Sequence, residues 1–269
     1  MKITQQQAGL SLIEMMIAMV LGLFLLIATT MVYFSSQRSS VSRSEYAALE
    51  DNGRSALEVL TRIIEHTGYI SNSATPLDES FITSAVIATN CGGAKNVLKP
   101  ALFGTISNGV SDSVGVVYIG DASLNRDCSG AQLPVVCQAG GVGSVNASKI
   151  YNYFSVGVNA AGVPALNCAG SRSADLVEIA EGVENIQVLY GLDNNADSRV
   201  DQYVNATKVG SWNNVISVQL AILVRSLRDV KTKAEIKKYK LLDSNTITTN
   251  DKYQRAVFST IVRLRNVQL

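Results

Sequence analysis

The sequence predicts an α+β protein, with one long helix at the N-terminus and an antiparallel β head behind it. Three observations predict this class. An apolar run of membrane length opens the chain at residues 10–34. Apolar residues then recur at three- and four-residue steps from Glu45 to His66, the period of a helix with one buried stripe. Beyond residue 69 the helical period gives way to short alternating runs between Gly, Asn and Ser, the pattern of strands with no helix between them. At 269 residues the chain has room for a membrane helix and one globular domain of about 200 residues.

The first element follows a short polar leader, Met1–Gly9, whose only cations are Lys2 and the amino terminus. Residues 10–34 would span about 37 Å as a helix, against roughly 30 Å of bilayer core. Glu14 sits at the fifth position of this run. An acid at the middle of a membrane helix costs roughly 2.5–3.5 kcal/mol, so its presence points to function. Gly9 offers a protease an extended, unhindered backbone. A cut there would expose an α-amino group on Leu10, a natural counter-ion for the Glu14 of a neighbouring chain. Each charge is costly to bury alone, and paired they set register more than they add stability. The plainer reading is a carboxyl that snorkels to the interface. A secretory signal fits less well, because Ala28-Thr29-Thr30 is a poor small-x-small site. Arg38 and Arg43 follow the span, so charge bias does not set its orientation.

The second half of the helix covers residues 35–68. After a polar patch, Ser35–Ser44, the stripe consists of Leu49, Ala56, Leu57, Leu60, Ile63 and Ile64. Gly53 weakens the helix by about 1 kcal/mol relative to Ala, and Gly68 supplies the stop. A continuous helix from Leu10 to Thr67 would be about 87 Å long. His66 is the single histidine, which excludes a multi-histidine metal site within one chain. Its expected role is a helix-terminal cation favoured by the dipole.

The head covers residues 69–269. Strands are predicted at Ser84–Ala88, Val114–Ile119, Ile150–Val158, Asp175–Ala180, Val183–Leu189, Val215–Arg225 and Ala256–Leu264. In Val215–Arg225 the apolar set Ile216, Val218, Leu220, Ile222 and Val224 alternates with Ser217, Gln219 and Arg225, predicting a half-buried strand. Cys91, Cys128, Cys137 and Cys168 all follow the span, and an external compartment lets them pair. Two disulfides in any of three connectivities, or one bridge and two buried thiols, satisfy the count.

Few constellations suggest chemistry. Asp193, Asn195, Asp197 and Asp201 place oxygen ligands as the start of an EF-hand-like calcium loop does. Ser198 stands where such a loop needs Gly, and Val204 where it needs Glu. The competing reading is an Asx-rich turn between Tyr190 and Tyr203. Gly140–Ser144 lacks a phosphate-binding lysine and reads as a flexible loop. Lys231–Lys240 reads as a solvated hairpin end, with an electrostatic contact to DNA or an anionic surface as the alternative. The net charge of +1 gives no bulk attraction for nucleic acid. No nucleophile–base spacing stands out, so the chain is expected not to be an enzyme, with no cofactor beyond the calcium ion that loop could hold.

The leader, the Gly9/Leu10 junction and Glu14 at the fifth mature position resemble the class III signal of type IV pilins and type II secretion pseudopilins. Leu10 stands where Phe is usual. The resemblance implies cleavage after Gly9 by a prepilin peptidase and N-methylation of Leu10. Further on, Leu176-Val177-Glu178, Glu181-Gly182-Val183-Glu184, Tyr190-Gly191-Leu192-Asp193, Trp212, Leu223-Val224-Arg225-Ser226 and Arg263-Leu264-Arg265-Asn266 resemble the PilW family of minor pilins. Gly53-Arg54-Ser55-Ala56-Leu57 and Asp127-Cys128-Ser129-Gly130 fit as well. This resemblance implies a pilin-like fold and a minor pilin that joins a tip-located initiation complex and primes pilus assembly. It implies a single pass through the inner membrane with the head in the periplasm, then a place at the pilus tip. The implied partners are other minor pilins, the major pilin, a PilY-type tip adhesin, the peptidase, the inner-membrane assembly platform and, before assembly, membrane lipid. A type II secretion minor pseudopilin is the sister reading, and a membrane-anchored periplasmic binding module is the reading from a different class.

Overall fold

The computed structural model describes residues 11–70, 80–82, 86–88, 96–98, 104–106, 109–138, 148–171 and 176–266. The chain divides into two units, Met1–Ser44 and Glu45–Leu269. Helix α1 (Leu12–Glu65) contributes to both. In the first unit residues 12–44 are helical, and the large apolar side chains from Leu12 to Phe34 are exposed.

In the second unit α1 buries one stripe: Leu49, Gly53, Ala56, Leu60 and Ile64. These positions follow the predicted three- and four-residue steps, with Leu57 and Ile63 packed at the margins. The opposite face carries the i,i+4 pairs Glu50–Arg54 and Glu58–Arg62, each worth only a few tenths of a kcal/mol in water. Asn266 Nδ2 donates to the Glu65 carbonyl at 3.0 Å, satisfying one of the backbone acceptors that a helix end leaves free. Gly68, at φ 73°, then turns the chain away.

The head is antiparallel, as predicted. Two short pairs come first, β1 (Val86–Ala88) with β2 (Asn96–Leu98) and β3 (Gly104–Ile106) with β4 (Gly109–Ser111). One four-stranded sheet has the order β5 (Val114–Ile119), β6 (Lys149–Val158), β7 (Pro164–Gly170), β8 (Val177–Glu181). The following strands are β9 (Val183–Leu192), β10 (Gln202–Val204), β11 (Val215–Arg225), β12 (Glu235–Tyr239), β13 (Ile247–Asp251) and β14 (Arg255–Arg263). A second four-stranded sheet has the order β10-β9-β11-β14, and β12 and β13 form a hairpin. Residues from β9, β11 and β14 share one core with the stripe of α1. Of the predicted loops, Gly140–Ser144 lies outside the described residues.

The chain passes from the first sheet to the second at a single residue. Gly182, at φ 82°, separates β8 from β9. Its N–H donates to Pro164 O at 2.7 Å, at the start of β7, and its carbonyl accepts Arg225 N–H at 2.8 Å, at the end of β11. A Cβ there would meet the Arg225 carbonyl at 2.5 Å. The left-handed backbone and this close approach both demand glycine.

Strand β11 corrects the half-buried prediction, because both of its faces are covered. Ala221 and Leu223, on the face away from α1, pack with Leu241 and Ile247 of the β12–β13 hairpin region. Next to them Glu184 and Arg255 form a buried bidentate pair, 2.6 and 2.9 Å, which Asp251 extends at 2.7 Å. Full pairing and hydrogen bonding make such buried charge tolerable. Cys128 and Cys168 form a disulfide that ties the loop after β5 to β7. Cys137 is also disulfide-bonded, and Cys91 lies outside the described residues.

Candidate functional site

The residues that sequence singles out for function cluster at the N-terminus. Ser11 O accepts the N–H groups of Glu14 and Met15 at 3.0 and 3.1 Å, closing the first turn of α1. Glu14 therefore stands in that first turn, where the helix dipole favours a negative charge. Its side chain is exposed. The helix it opens is long and apolar enough to cross a membrane, with none of its most apolar window buried. Gly9 and Leu10 lie outside the described residues.

From Leu12 to Phe34 this helix presents its large apolar side chains outward. Thr29 and Thr30 turn their hydroxyls inward, donating to Leu25 O at 3.0 Å and Leu26 O at 2.8 Å. Neither hydroxyl then needs water, which suits lipid or a neighbouring helix. Nothing lies within 4 Å of a Cβ built on Gly22. No contact with a described residue requires this glycine, and a small residue on an apolar helix lets a second helix approach closely. The polar patch that follows, Ser35–Ser44, is helical and largely exposed.

The loop from Asp193 to Asp201 joins β9 to β10. The Asp193 carboxylate accepts the N–H groups of Asp197 (3.3 Å) and Ser198 (2.8 Å). Asn195 Oδ1 accepts Asp197 N–H at 3.1 Å, Asp197 Oδ1 accepts Arg199 N–H at 2.9 Å, and Asp201 Oδ2 accepts Asn194 N–H at 2.8 Å. Ala196 and Ser198 have positive φ. These are nested Asx turns in which each side chain holds a backbone donor. Among the described residues no three His, Cys, Asp or Glu side chains group as a metal-holding cluster.

His66 corrects the dipole-favoured cation. Its ring stacks edge-on to Tyr118 at 5.9 Å, and Nδ1 is buried without a hydrogen bond. Burial lowers its pKa, with Glu65 opposing and Arg62 adding to the shift. The imidazole is a packing group at the helix end, and burial there disfavours its charged form.

Sequence reasoning did not anticipate two polar residues. Glu45 Oε2 accepts the N–H groups of Leu227 and Arg228 at 3.1 and 3.2 Å, pinning the end of β11 to α1. Asp112 accepts Val188 N–H at 2.9 Å, and desolvation lifts its pKa to about 6, aided by Asp243. Neither carries a local motif, since each partner is distant in sequence. The aromatic residues are easier to place. Trp212 lies 4.8 Å from Tyr190 and 5.3 Å from Phe81, centroid to centroid, and joins the main core.

Comparison with known proteins gives two family matches. Residues 153–266 match the family described as Type IV Pilus-assembly protein W. Residues 4–30 match the prokaryotic N-terminal methylation motif. No curated protein matches this chain. Among solved structures, a type IV-like pilin from Thermus thermophilus is similar, with 16% identity over 81% of this chain and 97% of its own, at a TM-score of 0.41.

Proposed function

For this type IV pilin-like protein, with its PilW-family region and N-terminal methylation motif, we propose the role of a minor pilin that primes pilus assembly from the tip. The precursor crosses the inner membrane once through α1, with its head in the periplasm. A prepilin peptidase cuts between Gly9 and Leu10 and methylates the new amine. The mature helix then leaves lipid for a bundle of other pilin helices on the inner-membrane assembly platform. The tip complex places it beside other minor pilins, the major pilin below and a PilY-type adhesin above.

One observation carries this reading: Glu14 is the single acid of the apolar run 10–34, whose large side chains from Leu12 to Phe34 are exposed, and it stands five residues after Gly9. In lipid an unpaired carboxylate costs several kcal/mol. A protonated amine on the Leu10 of an adjacent subunit removes that cost only when the two helices dock at one axial offset. Assembly becomes favourable and correctly registered through the same contact. Neither group does chemistry, so the role is structural.

Two measurements test it. Mass spectrometry of the mature chain should show loss of Met1–Gly9 and a methyl group on Leu10. Glu14→Ala should be cleaved like wild type but fall at least tenfold in sheared filaments relative to membranes. Unchanged recovery of the variant, or an intact Met1, refutes the proposal.

A further inference from the structure

The second sheet ends on an open strand. In the order β10-β9-β11-β14, β14 has a neighbour on one side only. Leu264 N–H donates to Ile216 O at 2.9 Å. Alternation along a strand therefore aims the backbone groups of Phe258, Thr260 and Val262 at β11, and those of Val257, Ser259, Ile261 and Arg263 away from the sheet. The side chains of Val257 and Ile261 are 43% and 58% exposed, and among the described residues no strand pairs with this edge.

Soluble proteins blunt such edges with short strands, bulges, proline or charge. The other edge of this sheet, β10, has three residues. Strand β14 has nine, pairs with β11 without a register shift, and carries no proline and no charge between Arg255 and Arg263. By contrast, β9 and β11 pair with two irregularities. The exposed end of β14 is basic. Arg263 donates to the neutral Ser198 carbonyl, and neither Arg263 nor Arg265 forms an ion pair with a described residue.

We infer that β14 is a docking edge for an extended segment of another pilus subunit, added as a fifth strand, with an acidic side chain opposite Arg263 and Arg265. Four residues of free backbone donors and acceptors supply affinity. Val257 and Ile261 set which side chains the guest strand presents, and the two arginines set its register. This inference rests on the minor-pilin reading, since only assembly brings a second subunit to this edge.

The test uses the full chain, produced in piliated cells lacking the native copy. Ser259→Pro removes an N–H that points away from the sheet and should leave the melting temperature within a few degrees. It should lower the filament-to-membrane ratio at least tenfold. Ile261→Lys, a side-chain edge blocker, should do the same and replaces the proline variant if that one melts early. With p-benzoylphenylalanine at Ile261, light should link the chain to an extended, acid-bearing segment of a different subunit. Arg263→Glu should weaken that link, and reversing the partner's acid to Lys should restore it. Normal incorporation of both edge variants overturns the inference, as do links only to lipid or to β14 of a second copy. If wild type itself is uncut at Gly9 or missing from filaments, the minor-pilin reading fails instead.

Discussion

Gly53 offers a quantitative test of how α1 meets the head. It lies mid-helix, where replacement by Ala should gain about 1 kcal/mol in an unencumbered helix. Here a Cβ would meet Phe258 of β14, with Cδ2 and Cζ each at 2.6 Å. Carbon atoms rest about 3.5–4.0 Å apart, so the half-buried ring must retreat by at least about 1 Å against the core it packs on. Overpacking of this kind costs about 1–3 kcal/mol, which outweighs the helical gain. The expected net effect of Gly53→Ala is a loss of about 1 kcal/mol, or roughly 2–4 °C in Tm for a domain of this size. Phe258→Leu, which removes the obstructing ring atoms, should reverse the sign, so that Gly53→Ala in that background stabilises by about 1 kcal/mol. The assay is urea and thermal unfolding of the detergent-solubilised chain, followed by the fluorescence of Trp212. Coupling below about 0.5 kcal/mol in this double-mutant cycle, or stabilisation by Gly53→Ala alone, would refute the close approach.

Other residues give independent tests. Asp112, with its pKa raised to about 6, binds a proton more readily folded than unfolded. Its contribution to stability is full below the ordinary aspartate value of 3.8 and is lost as pH rises through about 6. Asp112→Asn should therefore raise Tm at pH 7.5 and leave it little changed below pH 4, and a pH-independent effect would refute the desolvation. Replacing Cys128 and Cys168 together with Ser releases a bridge of sequence separation 40 and should cost about 4 kcal/mol by the chain-entropy relation, read as a fall in the urea midpoint. Asp193→Ala removes the acceptor for two backbone N–H groups and should cost about 1–3 kcal/mol in calcium-free buffer. The same titration with added calcium tests the calcium reading: a Tm that rises with calcium in wild type but not in the variant supports it, and a flat response in both refutes it.

What sequence revealed and what it concealed divides along the range of the interactions. The stripe of α1 was legible because its period is written in adjacent turns, and a stripe of this kind has one destination, a core. Glu14 was legible for the same local reason: one acid in an apolar run contradicts its surroundings. Strand β7 was not, because Pro164, Ala165, Asn167 and Gly170 have low strand propensity, and its stability comes from ladders on both sides. The half-buried reading of β11 failed at Ala221 and Leu223, whose cover comes from a hairpin later in the chain. His66 misled because the dipole at its own helix end is local, whereas Tyr118 reaches it from another element. Glu181-Gly182 announced a break between strands, yet only the bonds to Pro164 and Arg225 show that the chain changes sheet there. The openness of β14 belongs to this second class. Alternating Val257, Ser259 and Ile261 read alike in a central or an outer strand, and the topology alone leaves their backbone groups facing outward. The two features assigned to assembly thus sit at opposite ends of legibility. One is a charge that its own sequence neighbours make costly, and the other is a row of backbone groups that the finished fold leaves unpaired. Among the described residues neither has a partner, and in the proposed assembly a second subunit would supply one for each.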